Sequence, residues 1–145
     1  MSDPLIVKIC GIKTLDLLET TIAAGADMVG FMHFQRSPRH VSIEDLAGLI
    51  SAARGRIESC VVLVNPDNSC VAEVAALGPD WIQLHGPESP HRVEAIRAEA
   101  GVIAGPRAGA AYALIVCFDD LSVAHRLRAH EAFRALGLDL MEYVY

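Results

Sequence analysis

Short apolar runs alternate with amphipathic stretches along most of the chain. Leu5–Cys10 is apolar and rich in β-branched residues and predicts a strand. Thr14 then offers an N-cap to a helix reaching Ala24, with Leu17, Leu18, Ile22 and Ala23 on one face, and Gly25 stops it. Met28–Phe34 predicts a second strand. After a polar turn, Ser42 with Asp45 three residues later opens a helix to about Ala53, Asp standing in for the usual capping-box Glu. Cys60–Val64 predicts a third strand, Asn68 an N-cap for a helix over Cys70–Leu77, Trp81–Leu84 a fourth strand, and Glu88–Glu99 a fourth helix begun near Pro90. Val102–Ile103 offers the start of a fifth strand. Beyond it come an apolar run Tyr112–Phe118, a helical pattern from Leu121 to Leu136 and a last strand-like run Leu138–Tyr145.

Strand starts near residues 5, 27, 59, 80 and 101 are 21 to 32 residues apart, about the length of a strand, a helix and two short loops. Gly25-Ala26-Asp27, Gly78-Pro79-Asp80 and Gly137-Leu138-Asp139 echo one another between a helix and the apolar run that follows. In each, Gly supplies the left-handed helix stop and Asp a polar lead into the next strand. Apolar strands alternating with helices mean a parallel sheet covered by helices, an α/β fold. The period leaves closed barrel and open sheet as alternatives. Residues 104–111 are fewer than the roughly dozen a parallel crossover needs, so the runs on either side either form a hairpin or are not barrel neighbours.

Composition narrows the function classes. With 145 residues the chain makes one domain, 1–145, and 52% apolar against 21% charged residues excludes intrinsic disorder. A net charge of −6 gives no basic field for nucleic acid or anionic lipid. No apolar run approaches the roughly 18 residues of a membrane span, and MSDPLIVKIC has no charged-then-apolar signal region, so the expected compartment is the cytoplasm. Cys10, Cys60, Cys70 and Cys117 lack metal-ligand spacing; free thiols are expected, with neither zinc nor disulfides.

The residues at the strand ends carry a resemblance. VKICGIKT at 7–14, AGADMVGFMHF at 24–34 with SPRHVS at 37–42, VVLVNPD at 61–67 and IQLHG at 82–86 resemble successive strand ends of phosphoribosylanthranilate isomerases. The resemblance covers about the first 100 residues. It implies parallel βα units of a TIM (βα)8-type barrel and an Amadori rearrangement in tryptophan biosynthesis. In that reaction N-(5-phosphoribosyl)anthranilate becomes 1-(2-carboxyphenylamino)-1-deoxyribulose 5-phosphate without cofactor or metal. Barrel chemistry sits at the carboxyl ends of strands, where these motifs fall.

The rearrangement needs an acid to protonate the ribose ring oxygen and a base to take the proton from the neighbouring carbon. By position alone Cys10 reads as a small buried thiol; by resemblance it is the base. Gly11 after it leaves room for a close approach to the sulfur, and Lys8, two residues earlier on the same side of the strand, is placed to favour the thiolate. Arg39 matches the family's substrate-contacting arginine, its fork suited to the anthranilate carboxylate. Gln83 and His85 alternate on one side of their strand and are expected to line the pocket for the small phosphorylated substrate. Asn65-Pro66 is either turn chemistry or a substrate contact.

The resemblance implies an acid at the end of strand six, for which Asp119, after Phe118, is the candidate; a carboxylate there equally suits the N-cap of the helix from Leu121. Residues 1–104 therefore form the isomerase-like units, and 105–145 a divergent strand-helix-strand tail. Where the resembled family carries a lysine after strand five this sequence has Ala104-Gly105, and no counterpart of the family's phosphate-gripping loops is expected after Leu138–Tyr145. The barrel is expected to be shortened or incomplete, its activity weak or lost, and the chain to form a homo-oligomer through exposed sheet edges. The alternative is a truncated barrel serving only as a binding or assembly module.

Overall fold

The computed structural model describes residues 7–100 and 114–117. Its elements run β1 (Val7–Cys10), α1 (Leu15–Ala23), β2 (Met28–Met32), α2 (Ile43–Ala53), β3 (Glu58–Leu63), α3 (Asn68–Ala76), β4 (Trp81–Leu84), α4 (Pro90–Ala100) and β5 (Leu114–Cys117). The strands form one parallel sheet in the order β4-β3-β2-β1-β5. The four expected βα units are present in sequence order. The run expected over Tyr112–Phe118 is a strand at Leu114–Cys117, and it pairs with β1 rather than β4. A closed eight-stranded barrel sets its last strand beside its first, so β5 takes the place of the closing strand. The expectations at Val102–Ile103, Leu121–Leu136 and Leu138–Tyr145 lie outside the described residues.

Local chemistry explains most element ends. Thr14 and Ser42 cap α1 and α2 as expected, accepting from the backbone N–H of Leu17 and Asp45 at 3.2 Å each. The α3 cap is Asp67, not Asn68: its carboxylate accepts from Cys70 N at 2.8 Å, and Asn68 becomes the first helical residue. A carboxylate there also complements the helix dipole. Pro90 opens α4, and Glu88, expected inside that helix, lies before it. Strand β2 ends at Met32 because Phe34 already accepts from Ser37 N in a turn, at 2.9 Å. Strand β3 begins two residues before Cys60 because Glu58 pairs with Met28.

The Gly-x-Asp echo has a common structural cause. Gly25 and Gly78 stop their helices at φ of 80° and 69°. Asp27 then accepts from Val7 N at 2.8 Å, and Asp80 from Ser59 N at 2.8 Å. Each carboxylate thus satisfies a backbone donor near the start of the preceding strand. The third copy, at 137–139, lies outside the described residues.

One face of the sheet meets the helices. Val29, Phe31, Val61, Leu63 and Ile82 pack against Leu18, Leu46, Leu49, Ile50, Ala53 and Val74, all buried. Because side chains alternate along a strand, the other face carries Lys8, Cys10, Gly30, Cys60, Val62, Trp81 and Gln83. This inner face is where polar chemistry enters the buried part of the molecule. Among the described residues no helix is long and apolar enough to cross a membrane.

Candidate active site

Register aligns the inner face in rows. Cys10 pairs with Gly30, Gly30 with Cys60 and Cys60 with Trp81, so one row crosses four strands. Lys8, only 3% exposed, sends its ammonium across this row to donate to Gln83 Oε1. Its positive charge also acts on the thiol of Cys60. Burial pushes the Cys60 thiol up from its ordinary pKa, with the Lys8 ammonium opposing that shift, so the group is neutral near pH 7. Gln83 Nε2 lies 3.4 Å from His85 Nδ1. Lys8, expected beside Cys10, and the expected pocket residues Gln83 and His85 therefore form one polar line from β1 to β4.

At the carboxyl end of β1, Cys10 closes the strand and Gly11 turns the chain at φ 86°. The expectation that the bare face of Gly11 opens a path to the sulfur needs correction. A Cβ on Gly11 would lie 2.5 Å from Arg39 Cδ and 3.0 Å from its Nε, so the arginine stem occupies that space. The Arg39 loop is anchored on both sides: Arg39 N donates to Ser37 Oγ at 3.1 Å, and Lys13 Nζ to Pro38 O at 3.1 Å. Arg39 is thus brought against the residue adjoining Cys10. Asp119 lies outside the described residues.

Gly11→Ala is expected to cost about 1–2 kcal/mol from the left-handed backbone alone, and to displace Arg39. Urea midpoints and the NMR signal of the Arg39 Nε–H measure the two effects separately. An unchanged Arg39 Nε–H signal would show that the Gly11 contact does not hold Arg39 in place.

Beside Arg39, the His33 and His40 rings meet at a tilt of 36° with their centroids 5.1 Å apart. His33 Nδ1 lies 2.8 Å from Val41 O, whereas His40 Nδ1 is buried with no hydrogen-bond partner among the described residues. Burial first, then the charges of His33 and Lys13, pull the His40 pKa below 6.5. The unfolded chain therefore binds the proton more readily than the folded one. His40 contributes stability that is fully present above pH 6.5 and lost as pH falls through its lowered folded value. The urea midpoint is expected to drop between pH 7.5 and 5.5, and to drop less in His40→Gln. Equal drops would remove His40 as a cause.

On the other side of the rim, Asn65 adopts φ 44° and its N–H donates to Glu88 Oε1 at 2.7 Å, while Gly86 N donates to Glu88 Oε2 at 2.7 Å. The turn reading of Asn65-Pro66 is the one this geometry fits. Two inner-face residues escaped the sequence reading, Gly30 and Cys60. A glycine inside a strand, as in AGADMVGFMHF, is itself a signal of close approach; Cys60 becomes visible only through register.

Comparison with known proteins bears on the same residues. The family model described as N-(5'phosphoribosyl)anthranilate (PRA) isomerase matches residues 7–111. An N-(5'-phosphoribosyl)anthranilate isomerase of Azorhizobium caulinodans is 55% identical over 96 residues, 66% of this chain and 42% of that protein. One from Rhizobium meliloti is 46% identical over 97 residues, 66% of this chain and 45% of that protein. The chain spans about half the length of the curated relatives it matches. Among solved structures, TrpF from Jonesia denitrificans superposes with a TM-score of 0.65 at 25% identity, covering 69% of this chain and 49% of that one. A phosphoribosyl anthranilate isomerase in complex with reduced 1-(o-carboxyphenylamino)-1-deoxyribulose 5-phosphate gives 0.63 at 24% identity, covering 91% and 62%. The matched span contains the strand ends that bring Arg39 against Gly11 and Lys8 against Gln83, and by this extent of likeness the chain belongs to the N-(5'phosphoribosyl)anthranilate (PRA) isomerase family.

Proposed function

We propose that this chain catalyses the isomerisation of N-(5-phosphoribosyl)anthranilate in tryptophan biosynthesis. The observation that carries the reading is the approach of Arg39 to Gly11, directly beside Cys10, at the carboxyl ends of adjacent strands. Arg39 pairs with the anthranilate carboxylate, and Asp119 protonates the ribose ring oxygen so that the ring opens to an iminium. Cys10 then takes the proton from the adjacent carbon, and the resulting enamine tautomerises to the ketose. Gln83 and His85 line the pocket and Lys8 supplies positive charge to its floor. Cytoplasm is the proposed compartment, and one domain the proposed organisation, with 105–145 departing from the family pattern.

The test is turnover of phosphoribosylanthranilate by the purified 145-residue chain, followed as loss of anthranilate fluorescence. A rate below that of a full-length relative is expected, because interactions from the unshared half of those proteins add transition-state binding energy. Absence of any turnover above the uncatalysed rate would overturn the reading.

A second reading, assembly through sheet edges, is favoured by one observation. Among the described residues no strand pairs with the outer edge of β4. Unpaired strand edges template association, so a homo-oligomer is expected. Sedimentation showing only monomer at micromolar concentration would contradict it.

A further inference from the structure

We propose that Gly30 is a positioning residue of this site: its bare backbone in β2 is the slot through which the Cys10 and Lys8 side chains reach across from β1 toward β3 and β4. The catalytic consequence rests on the isomerase reading, whereas the packing claim stands on geometry alone.

A glycine inside a strand weakens it, having no side chain to pack and more freedom to lose. Gly30 is not among the glycines of positive φ, so the backbone does not require it. Space does. A Cβ at Gly30 would lie 2.5 Å from Cys10 Sγ, 3.0 Å from Lys8 Cε and 3.2 Å from Cys10 Cα. Around Gly25, Gly48 and Gly55, by contrast, nothing lies within 4 Å of the same point. Gly30 is therefore overlaid by the two side chains that the resemblance and the geometry make most interesting.

What they reach explains why the slot matters. Strands lie about 4.8 Å apart, so β1 and β4 are separated by roughly 14 Å across β2 and β3. An extended lysine spans about half of that. Lys8 meets Gln83 only by lying low over β2, and Cys10 Sγ leans the same way over Gly30. Adding one methyl group forces the sulfur into another staggered well and lifts the lysine stem. A displacement near 1 Å at a reacting group costs about 10²-fold in rate.

The test compares the full chain with Gly30→Ala, and with Gly48→Ala as a substitution in open space. Each protein carries [3-13C]cysteine, and NMR follows the thiol signals over pH, assigned through single Cys→Ser variants. In Gly30→Ala the Cys10 and Cys60 signals are expected to move together and the Cys10 titration midpoint to shift, while Cys70 stays in place; Gly48→Ala leaves all three unchanged. A folded Gly30→Ala with wild-type Cys10 and Cys60 signals overturns the proposal. Should Gly30→Ala not fold, Lys8→Met is used, keeping the stem and removing the ammonium. Movement of both thiol signals supports the shared slot, and no movement overturns it. In turnover, Gly30→Ala is expected to lower kcat about 10²-fold with KM within about threefold, whereas an unchanged kcat overturns the catalytic part. If the wild-type chain shows no turnover, the isomerase reading falls and the thiol signals still decide the role of Gly30.

Discussion

Cys10→Ser is expected to lower phosphoribosylanthranilate turnover by about 10³-fold while leaving KM nearly unchanged. A positioned general base contributes typically about 10²–10⁴-fold, and a serine hydroxyl ionises far above the roughly 8.5 of an ordinary thiol, so it cannot replace the sulfur as a base near neutrality. The substitution touches neither Gly11 nor Arg39, so under the role proposed for Arg39 substrate affinity should persist. Cys10 is 3% exposed, and a hydroxyl left there without a partner costs about 1–3 kcal/mol. The variant must therefore be shown folded by circular dichroism before its rate is read. Turnover at the wild-type rate would remove the sulfur from the mechanism and leave the kinship without a base on β1.

The largest stability effect is expected at Phe31→Ala, at about 3–5 kcal/mol. Phe31 is fully buried on the helix-facing side of β2, between Gly30 and Met32 on the inner face. Removing its ring opens a cavity against the helices and loosens the strand that carries Gly30. A domain of this size has only about 5–15 kcal/mol in total, so the loss is a large share of what holds it folded. With a urea slope of about 1–3 kcal/mol/M, the midpoint should fall by more than about 1 M. Leu15→Ala, at a side chain 55% exposed, should stay within about 0.5 kcal/mol. Comparable losses at the two positions would mean that the helix-facing layer is not the core.

The rim was legible residue by residue but not in its contacts. The family resemblance of VKICGIKT marked Cys10 and that of SPRHVS marked Arg39, while apolar runs interrupted by Gly, Pro and polar residues placed both at strand ends. That Arg39 fills the space over Gly11 could not be read, since it depends on how a loop 28 residues later folds back. Lys8 was placed beside Cys10, and Gln83 in the pocket, each from its own strand. Their direct hydrogen bond spans 75 residues and follows only from strand order. Cys60 looked like one more apolar strand position, and only its row with Cys10 and Gly30 gives it a role.

By itself, then, the order of residues determined the four βα units, the α1 and α2 caps, the helix-stopping Gly25 and Gly78, and the family. These depend on near neighbours: side-chain periodicity, caps three residues away, and backbone freedom at glycine. Tertiary structure alone decided that β5 lies beside β1, that Asp27 and Asp80 close the starts of the preceding strands, and that Lys8 reaches across Gly30. Those contacts join segments separated by about 20 to over 100 residues. The loop entropy of closing them is offset only when the whole sheet assembles, and no local pattern records which distant partner that assembly selects.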